Sequence, residues 1–141
     1  MTVRTYSPSE FSVTVGALIL TGFAQDTMIT VSRKTPTWSS TAGSDGFVTR
    51  ARSADKRGDI TLTLDMSSPS NDDLTALFAA DEMTGKGVFP IMIRDGSGSS
   101  VASAASAWIV SPATLEYGNG VVGRAWTFEA ANITISNGGN N

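Results

Sequence analysis

Four carboxylates on one predicted helix come nearest to a catalytic pattern in this sequence. They form two sequential pairs, Asp72 with Asp73 and Asp81 with Glu82. Adjacent side chains on a helix point in different directions, so neither pair converges on a shared substrate. We therefore interpret the four as a solvated acidic face, or as partners for basic groups elsewhere.

The absence of two residue types limits which catalytic and metal-binding sites the chain can form. The 141 residues include no histidine and no cysteine. The sequence thus lacks the commonest general base, the usual serine and cysteine catalytic arrangements, and nearly all zinc and copper sites. Two glycine-rich turns, at residues 43–46 and 95–98, have neither the P-loop lysine nor the EF-hand ligand spacing. We predict that the chain is not an enzyme and needs no metal or cofactor.

Length and overall charge favour one compact domain that does not bind nucleic acid tightly. A chain of 141 residues fits a single domain. The net charge of −3 lacks the basic surplus of a dedicated nucleic-acid binder. The apolar run at residues 16–20 is too short to span a membrane, and no secretory apolar segment follows Met1. We expect a soluble protein made in the cytosol, with residues 1–141 as one domain.

Charge is distributed unevenly along the chain. Residues 33–57 hold six of the ten basic residues and only two acids, a local charge of +4, whereas the rest of the chain has four basic and eleven acidic residues. The six are Arg33, Lys34, Arg50, Arg52, Lys56 and Arg57. Such a block is either a solvated loop or a basic surface that meets an acidic one, and the pattern alone leaves both open.

One helix is predicted, at about residues 70–84. Ser70 and Asp73 have the spacing of a capping box, in which the two side chains satisfy free N–H groups of the first turn. Gly85 or Gly87 supplies a stop signal. The apolar stripe of this helix is Leu74, Leu77 and Phe78.

The remaining periodic segments alternate apolar and polar residues, as half-buried strands do. They include residues 11–15, 28–33, 59–66, 88–93 and 108–110. We predict a mainly β fold, a β-sandwich or barrel with the helix at its flank and a long protruding hairpin at about residues 34–58. Residues 137–141 are predicted to form a flexible polar tail.

The last strand presents a conflict of parity. Trp126 and Phe128 fall on one face of a regular pleat, and Ile133 and Ile135 fall on the other. A one-residue bulge near residues 130–132 would place both pairs on the same face. Alternatively, both faces of the sheet are covered.

Two aromatic residues lie on opposite arms of the long hairpin, near its tip. Trp38 and Phe47 either cap an edge of the core or act as anchors for another subunit. We favour the anchors, because large aromatic residues together with arginine concentrate the binding energy of interfaces.

Several short motifs follow one another along most of the chain. They are Tyr6-Ser7-Pro8, Gly22-Phe23-Ala24, Gly43-Ser44-Asp45-Gly46 with Thr49-Arg50, Ile60-Thr61-Leu62-Thr63-Leu64, Ser68-Pro69-Ser70-Asn71-Asp72, Phe89-Pro90, Asp95-Gly96, Ala107-Trp108-Ile109 and Arg124-Ala125-Trp126-Thr127-Phe128. Each is a turn or a strand pattern, and their order resembles that of the tail-tube proteins of contractile-tailed bacteriophages. The Ser/Ala run at residues 99–106 and the charged pair Lys56-Arg57 depart from the pattern.

The resemblance implies a structural virion protein. Its copies would form hexameric rings stacked into an inner tail tube, and phage DNA would pass through the lumen without specific binding. The implied partners are other copies of the chain, the tail sheath protein, a baseplate or tube-initiator protein, the tail terminator and the tape measure protein. No cofactor is implied, and the expected location is the tail of the virion.

The resemblance also assigns roles to three groups of residues. Residues 34–58 would be an inter-subunit arm with Trp38, Phe47, Arg50, Arg52, Lys56 and Arg57 as its contact residues. We infer that the acceptors for its charges are Asp72, Asp73, Asp81 and Glu82. Because a strongly basic lumen would retain DNA, the lining is expected to be polar, with candidates Thr61, Thr63, Asp65, Thr127 and Glu129.

Two other functions stay open at the level of sequence. A carbohydrate- or host-binding β-sandwich could use Trp38, Trp108 and Trp126 as stacking platforms. A tube-initiator or baseplate protein would share the fold of a tube protein.

Overall fold

In a computed structural model, residues 3–25 and 28–139 form a mainly β protein with one α-helix. The described strands are β1 (Phe11–Val15), β2 (Leu18–Ile19), β3 (Ile29–Arg33), β4 (Trp38–Ala42), β5 (Val48–Arg52), β6 (Gly58–Asp65), β7 (Phe89–Asp95), β8 (Val101–Ser111), β9 (Gly123–Ala130) and β10 (Ile133–Ser136). The helix α1 spans Ser70–Thr84. The predicted fold class is confirmed.

Eight strands form one antiparallel sheet, and the other two form a separate hairpin. The order in the large sheet is β2-β1-β7-β8-β9-β6-β3, with β10 paired to β8. β4 pairs only with β5. The alternation that predicts the strands is visible in β6, where buried and half-buried residues follow one another along all eight positions.

A single apolar core joins the strands of the large sheet to α1. Every second residue of the central strands enters it, and Leu74 brings the helix against it. The most deeply buried side chains are Phe128, Ile60, Leu62, Leu64, Leu74, Ile133, Val13 and Val15. Each such side chain contributes about 1.5–3 kcal/mol by leaving water, so the core holds the sheet together without a disulfide.

The parity conflict in the last strand is resolved by a change of parity that it shares with β8. Ala130 pairs with Ala107 and Ile133 pairs with Ala104, so the register with β8 is the same on both sides of residues 131–132. The predicted one-residue bulge therefore does not shift this pairing. Instead, the buried positions of β8 also change parity between Ala104 and Ala107, and Phe128 and Ile133 reach one core together.

The capping box predicted at the start of α1 is wrong. Ser70 is the first residue of the helix, and the residue before it makes no side-chain cap. The Ser70 hydroxyl is buried and accepts a hydrogen bond from the Thr21 N–H at 3.0 Å. The Ser68 hydroxyl accepts from the Ser70 N–H at 3.2 Å and supports the helix start instead. The stop is confirmed, because Gly85 is left-handed, with φ 68°.

Asn71 joins the helix start to the sheet. Its Oδ1 accepts a hydrogen bond from the indole N–H of Trp126 at 2.9 Å. Its Nδ2 donates to the carbonyl oxygens of Asp65 at 2.9 Å and Ser68 at 3.1 Å. One side chain therefore satisfies three polar groups and fixes the orientation of the buried Trp126.

The start of the predicted flexible tail is hydrogen-bonded. The Ser100 hydroxyl accepts from the Gly138 N–H at 3.0 Å, and the Ser99 N–H donates to the Gly139 carbonyl at 3.2 Å. Residues 137–139 are thus tied to the beginning of β8. Residues 140–141 lie outside the described part of the chain.

Replacing Asn71 with alanine is expected to lower the free energy of unfolding by about 1–3 kcal/mol, because it leaves the Trp126 N–H buried without an acceptor. Urea unfolding followed by tryptophan fluorescence measures the loss. Thr75→Ala is the matched control, since Thr75 is exposed on the same helix and bonds only the Asn71 carbonyl. Equal losses in the two variants would show that Asn71 does not anchor the helix.

Candidate functional site

The hairpin of β4 and β5 has two different faces. All ten of its strand residues are exposed. The register pairs Trp38 with Arg52 and Ala42 with Val48. Because side chains alternate across a strand, one face carries the large and charged residues, and we call it the aromatic-basic face: Trp38, Ser40, Ala42, Val48, Arg50 and Arg52. The opposite face carries only Ser39, Thr41, Thr49 and Ala51.

The hairpin ends in a well-defined turn that exposes Phe47. The Gly43 N–H donates to the Phe47 carbonyl at 2.8 Å, and the Asp45 carboxylate accepts from the Phe47 N–H at 3.1 Å. Gly46 has φ 84°, which favours glycine. The side chain of Phe47 is 73% exposed. Only Phe47 lies at the tip, so the prediction that Trp38 is also near the tip is wrong.

Trp38 lies at the other end of the hairpin strands and is 46% exposed. The guanidinium of Arg50 stacks over its ring at 3.8 Å from the centroid. Such a contact is worth about 0.5–1 kcal/mol at an exposed site, and it organises the aromatic-basic face. Neither aromatic residue caps the core, which removes one of the two interpretations that the sequence leaves open.

Ion pairs hold the hairpin where it leaves the sheet. Lys34 lies 2.6 Å from Asp59 and 3.8 Å from Glu129, and Arg57 lies 3.7 Å from Glu129. Arg57 also binds Asp55 through two hydrogen bonds of 3.0 Å. We call these five residues the root cluster.

Hydrogen bonds at the root of the hairpin shift the pKa of three side chains, Asp55, Lys34 and Arg57, the last of which is raised by its bonds to Asp55. Bonds from Arg57, and then from Thr35, hold the pKa of Asp55 well below its usual range. The bond to Asp59 raises the pKa of Lys34. Arg57 is engaged by acids of its own chain and is still exposed, so its role as a contact residue of the inter-subunit arm stays a prediction. Trp38, Phe47, Arg50, Arg52 and Lys56 are exposed.

The predicted acidic acceptors lie on α1, away from the hairpin charges. Asp72, Asp73 and Glu82 are exposed. Asp81 is half-buried, and its carboxylate accepts a hydrogen bond from the Gly87 N–H at 2.8 Å. The ion pairs in the described residues do not connect this helix to the hairpin. The role of the four carboxylates as acceptors in another copy stays a prediction.

The five predicted lumen residues share one outward face of β6 and β9. Thr61 is directly opposite Thr127, and Asp59 of the root cluster is opposite Glu129. Thr63 and Asp65 continue the same face. The Ser67 N–H and hydroxyl bind Asp65 and lower the pKa of its carboxyl.

Sequence reasoning missed two members of this polar face. Thr30 of β3 pairs with Thr61, and Ser111 of β8 pairs with Thr127. A row of hydroxyl residues therefore crosses four neighbouring strands. The period-2 pattern of β3 could have identified Thr30 as a residue of its polar face. The sequence does not show, however, that β3 pairs with β6.

The tryptophans do not form a stacking platform. Trp126 is 3% exposed and its N–H is bound by Asn71. Trp108 is half-buried on β8, and Trp38 is on the hairpin. The interpretation as a carbohydrate-binding surface is therefore not supported by this arrangement.

Within residues 3–25 and 28–139, no three histidine, cysteine or carboxylate side chains are grouped to hold a metal ion. The helix in these ranges is not long and apolar enough to cross a membrane.

Sequence comparison finds phage structural proteins. The family described as Bacteriophage PhiTE tail tube protein matches residues 10–138. A relative from Pseudomonas phage KPP10, called Structural protein ORF10, is 31% identical over 144 residues. The alignment covers 96% of this chain and 83% of the relative.

Structure comparison finds the same fold in contractile systems. The tube-terminating cap of the anti-feeding prophage matches with a TM-score of 0.66 and 15% identity, covering 96% of this chain and 93% of the cap chain. The PVC sheath/tube terminator of an extracellular contractile injection system matches at 0.67 and 14%, covering 97% and 100%. A chain of the PVC sheath-tube complex matches at 0.65 and 13%, covering 94% and 91%. At these identities the comparison shows the shared fold.

The carboxyl of Asp55 is expected to stay ionised to a lower pH than an ordinary aspartate, which titrates near pH 3.9. Carbon-13 NMR titration of the side chain measures this pKa. Folding lowers the pKa of Asp55. The stability that Asp55 contributes is therefore fully present at pH values above its unfolded-state pKa, and it is lost as the pH falls through its folded-state pKa. Arg57→Gln should raise the pKa toward the ordinary value, and an unchanged pKa in that variant would contradict the assignment of Arg57 as the main cause.

Proposed function

This chain belongs to the bacteriophage tail tube family, and we propose that its copies form stacked, hexameric rings that build the inner tube of a contractile tail. The chain is accordingly a structural tail component and not an enzyme, as the sequence predicts. The tube would conduct phage DNA toward the host. We expect the protein to be made in the host cytoplasm and to reside in the tail of the virion.

The observation that carries this proposal is the exposed hairpin. A two-stranded hairpin is marginally stable in water by itself, and this one exposes Trp38, Phe47 and Val48. Aromatic residues and arginine are the types that dominate interface energies. The hairpin surface is not self-complementary, so it favours a head-to-tail contact with a different surface of another copy. Such a contact closes into rings or continues as a stack.

Charge supports contacts between copies. The hairpin presents Arg50, Arg52 and Lys56, whereas α1 presents Asp72, Asp73 and Glu82. Opposite patches on different parts of one molecule steer copies into a defined orientation. We assign the helix acids, with the half-buried Asp81, as candidate acceptors of hairpin charges from a neighbour.

The polar face of β6 and β9 is the proposed wall of the lumen. Its hydroxyl groups are uncharged, and in the root cluster two cations face three carboxylates. A wall with no basic surplus neutralises few phosphates, so DNA would move along it without being retained. Thr61, Thr63, Asp65, Thr127 and Glu129 keep the roles proposed from the sequence.

A second candidate function is a tube-terminating or tube-initiating ring. The similarity to a tube-terminating cap and to a sheath/tube terminator favours it. Such a ring would have the same hairpin but would not stack on further copies of itself. The proposed partners in either case are the sheath protein, a baseplate or initiator protein, the tail terminator and the tape measure protein.

Negative-stain electron microscopy of the purified protein tests the tube proposal. Wild-type protein is expected to form rings and stacked tubes. Phe47→Ser should reduce the number of tubes at least tenfold, because it removes an interface anchor, while circular dichroism stays that of the folded core. Thr41→Ala, on the opposite face of the hairpin, is the control and should assemble normally. Single rings that never stack would favour the terminating role, and tubes of Phe47→Ser in normal yield would contradict the anchor.

A further inference from the structure

An open slot separates β3 from β10. Each of these strands has a hydrogen-bonded partner on one side, β6 for β3 and β8 for β10. Their other edges approach each other where the guanidinium of Arg33 donates to the Ile133 carbonyl at 3.1 Å. Beyond this closed end, toward Ile29 and Asn137, the two edges border a cavity of about 210 Å³.

The slot combines an apolar floor with one buried carboxylate. Ile93, Ala102 and Ile135 contribute to its lining, together with Asp95. Asp95 is only 6% exposed. Its Oδ1 accepts hydrogen bonds from the N–H and the hydroxyl of Ser97 at 2.9 and 2.7 Å. The described residues offer no hydrogen bond to Oδ2 and no cation to the carboxylate.

Asp95 Oδ2 is not among the fully buried side-chain atoms that lack a partner, so it is open to the slot. A cation that entered the slot would pair with this oxygen and offset the reduced solvation of the carboxylate. The volume lies below the range of about 300–1,000 Å³ that is usual for small-molecule sites. The slot therefore suits a protein side chain beside a cationic group rather than a metabolite.

The Ser/Ala run, which departs from the family pattern, keeps the slot open. Ser100 and Ala102 lie on the slot and have small side chains. A larger residue at position 102 would project into the same space. The low apolar content of this strand segment therefore leaves the slot unfilled.

We propose that the slot receives the hairpin tip of a second copy of this chain, with Phe47 on the apolar floor and Arg50 directed at Asp95. The tip offers the required chemistry, since Phe47 is 73% exposed and Arg50 has no carboxylate partner in the described ion pairs. This inference rests on the proposed function, because it names the receiving site of the same hairpin.

The slot is a stronger anchor than the helix acids. An exposed ion pair with Asp72 or Glu82 contributes little, because water and salt screen it. Burial of one aromatic side chain contributes more, because it removes a large apolar area from water. The helix acids can then orient the approaching copy, while the slot fixes it.

Cysteine cross-linking in the full chain distinguishes the two receiving sites. The chain has no cysteine of its own, so a disulfide can form only between introduced residues. We expect Ser44→Cys with Ser136→Cys to give a ladder of disulfide-linked multimers on mild oxidation of assembled protein. Ser44→Cys with Glu82→Cys is the matched control and should give at least tenfold less product. Tubes that cross-link only through position 82, or through neither position, would overturn the slot while leaving the proposed function intact.

Filling the slot provides a second and independent test. Ala102→Leu should reduce tube formation at least tenfold in electron micrographs, while the thermal unfolding midpoint stays at or above that of the wild type. Ala105→Leu, on the exposed side of the same strand, should assemble normally. Normal assembly of folded Ala102→Leu would overturn the proposal.

A third variant covers the case in which Ala102→Leu does not fold. Asp95→Asn can still accept the bonds from Ser97 but carries no charge, so it should weaken assembly and make assembly less sensitive to salt. An unchanged salt dependence would overturn the role of Asp95. If the wild-type protein forms neither rings nor tubes, the proposed function fails before the slot is tested.

Discussion

The attachment of the hairpin to the polar face of the sheet is the interaction on which the rest depends. Lys34 and Arg57 flank the hairpin at its two ends, and both contact Glu129 on β9. Asp59 and Asp55 complete the pairing. Exposed ion pairs are individually weak, but the Lys34 N–H also donates to the Arg57 carbonyl at 3.1 Å. The backbone bond and the ion pairs together position the root of the hairpin, whose strands extend from the body without a core of their own.

This root connects two surfaces that would otherwise be independent. The cations that hold the hairpin lie beside the hydroxyl row of β3, β6, β9 and β8. Their charge offsets carboxylates on the proposed lumen wall. A change in the root cluster would therefore alter both the position of the hairpin and the charge of that wall. Salt should act on this exposed network more than on the apolar core.

The sequence predicts the elements well because their signals are local. Period-2 alternation identifies β6, an apolar stripe with Gly85 identifies α1, and a polar stretch with a glycine turn identifies the hairpin. The capping box fails because Ser70 is used by Thr21, 49 residues away. A local pattern cannot show that the N–H of a distant residue will donate to the same hydroxyl.

The functional surfaces are only partly predictable for the same reason. Exposed aromatic residues and the polar face of β6 follow from composition and alternation. The partners of Lys34 and Arg57 do not, because Glu129 is remote in the chain and is brought close by strand pairing. The slot at Asp95 is further from prediction, since it lies between β3 and β10, whose proximity the sequence does not show.

Hydrogen–deuterium exchange tests most directly whether the hairpin reaches another copy of the molecule. The amides of residues 38–52 that do not bond within the β4–β5 ladder should exchange rapidly in unassembled protein. The same amides should become strongly protected after assembly. Amides of β6 should be protected in both states. Equal exchange of the hairpin before and after assembly would contradict the account, because the exposed strands would then have gained no partner.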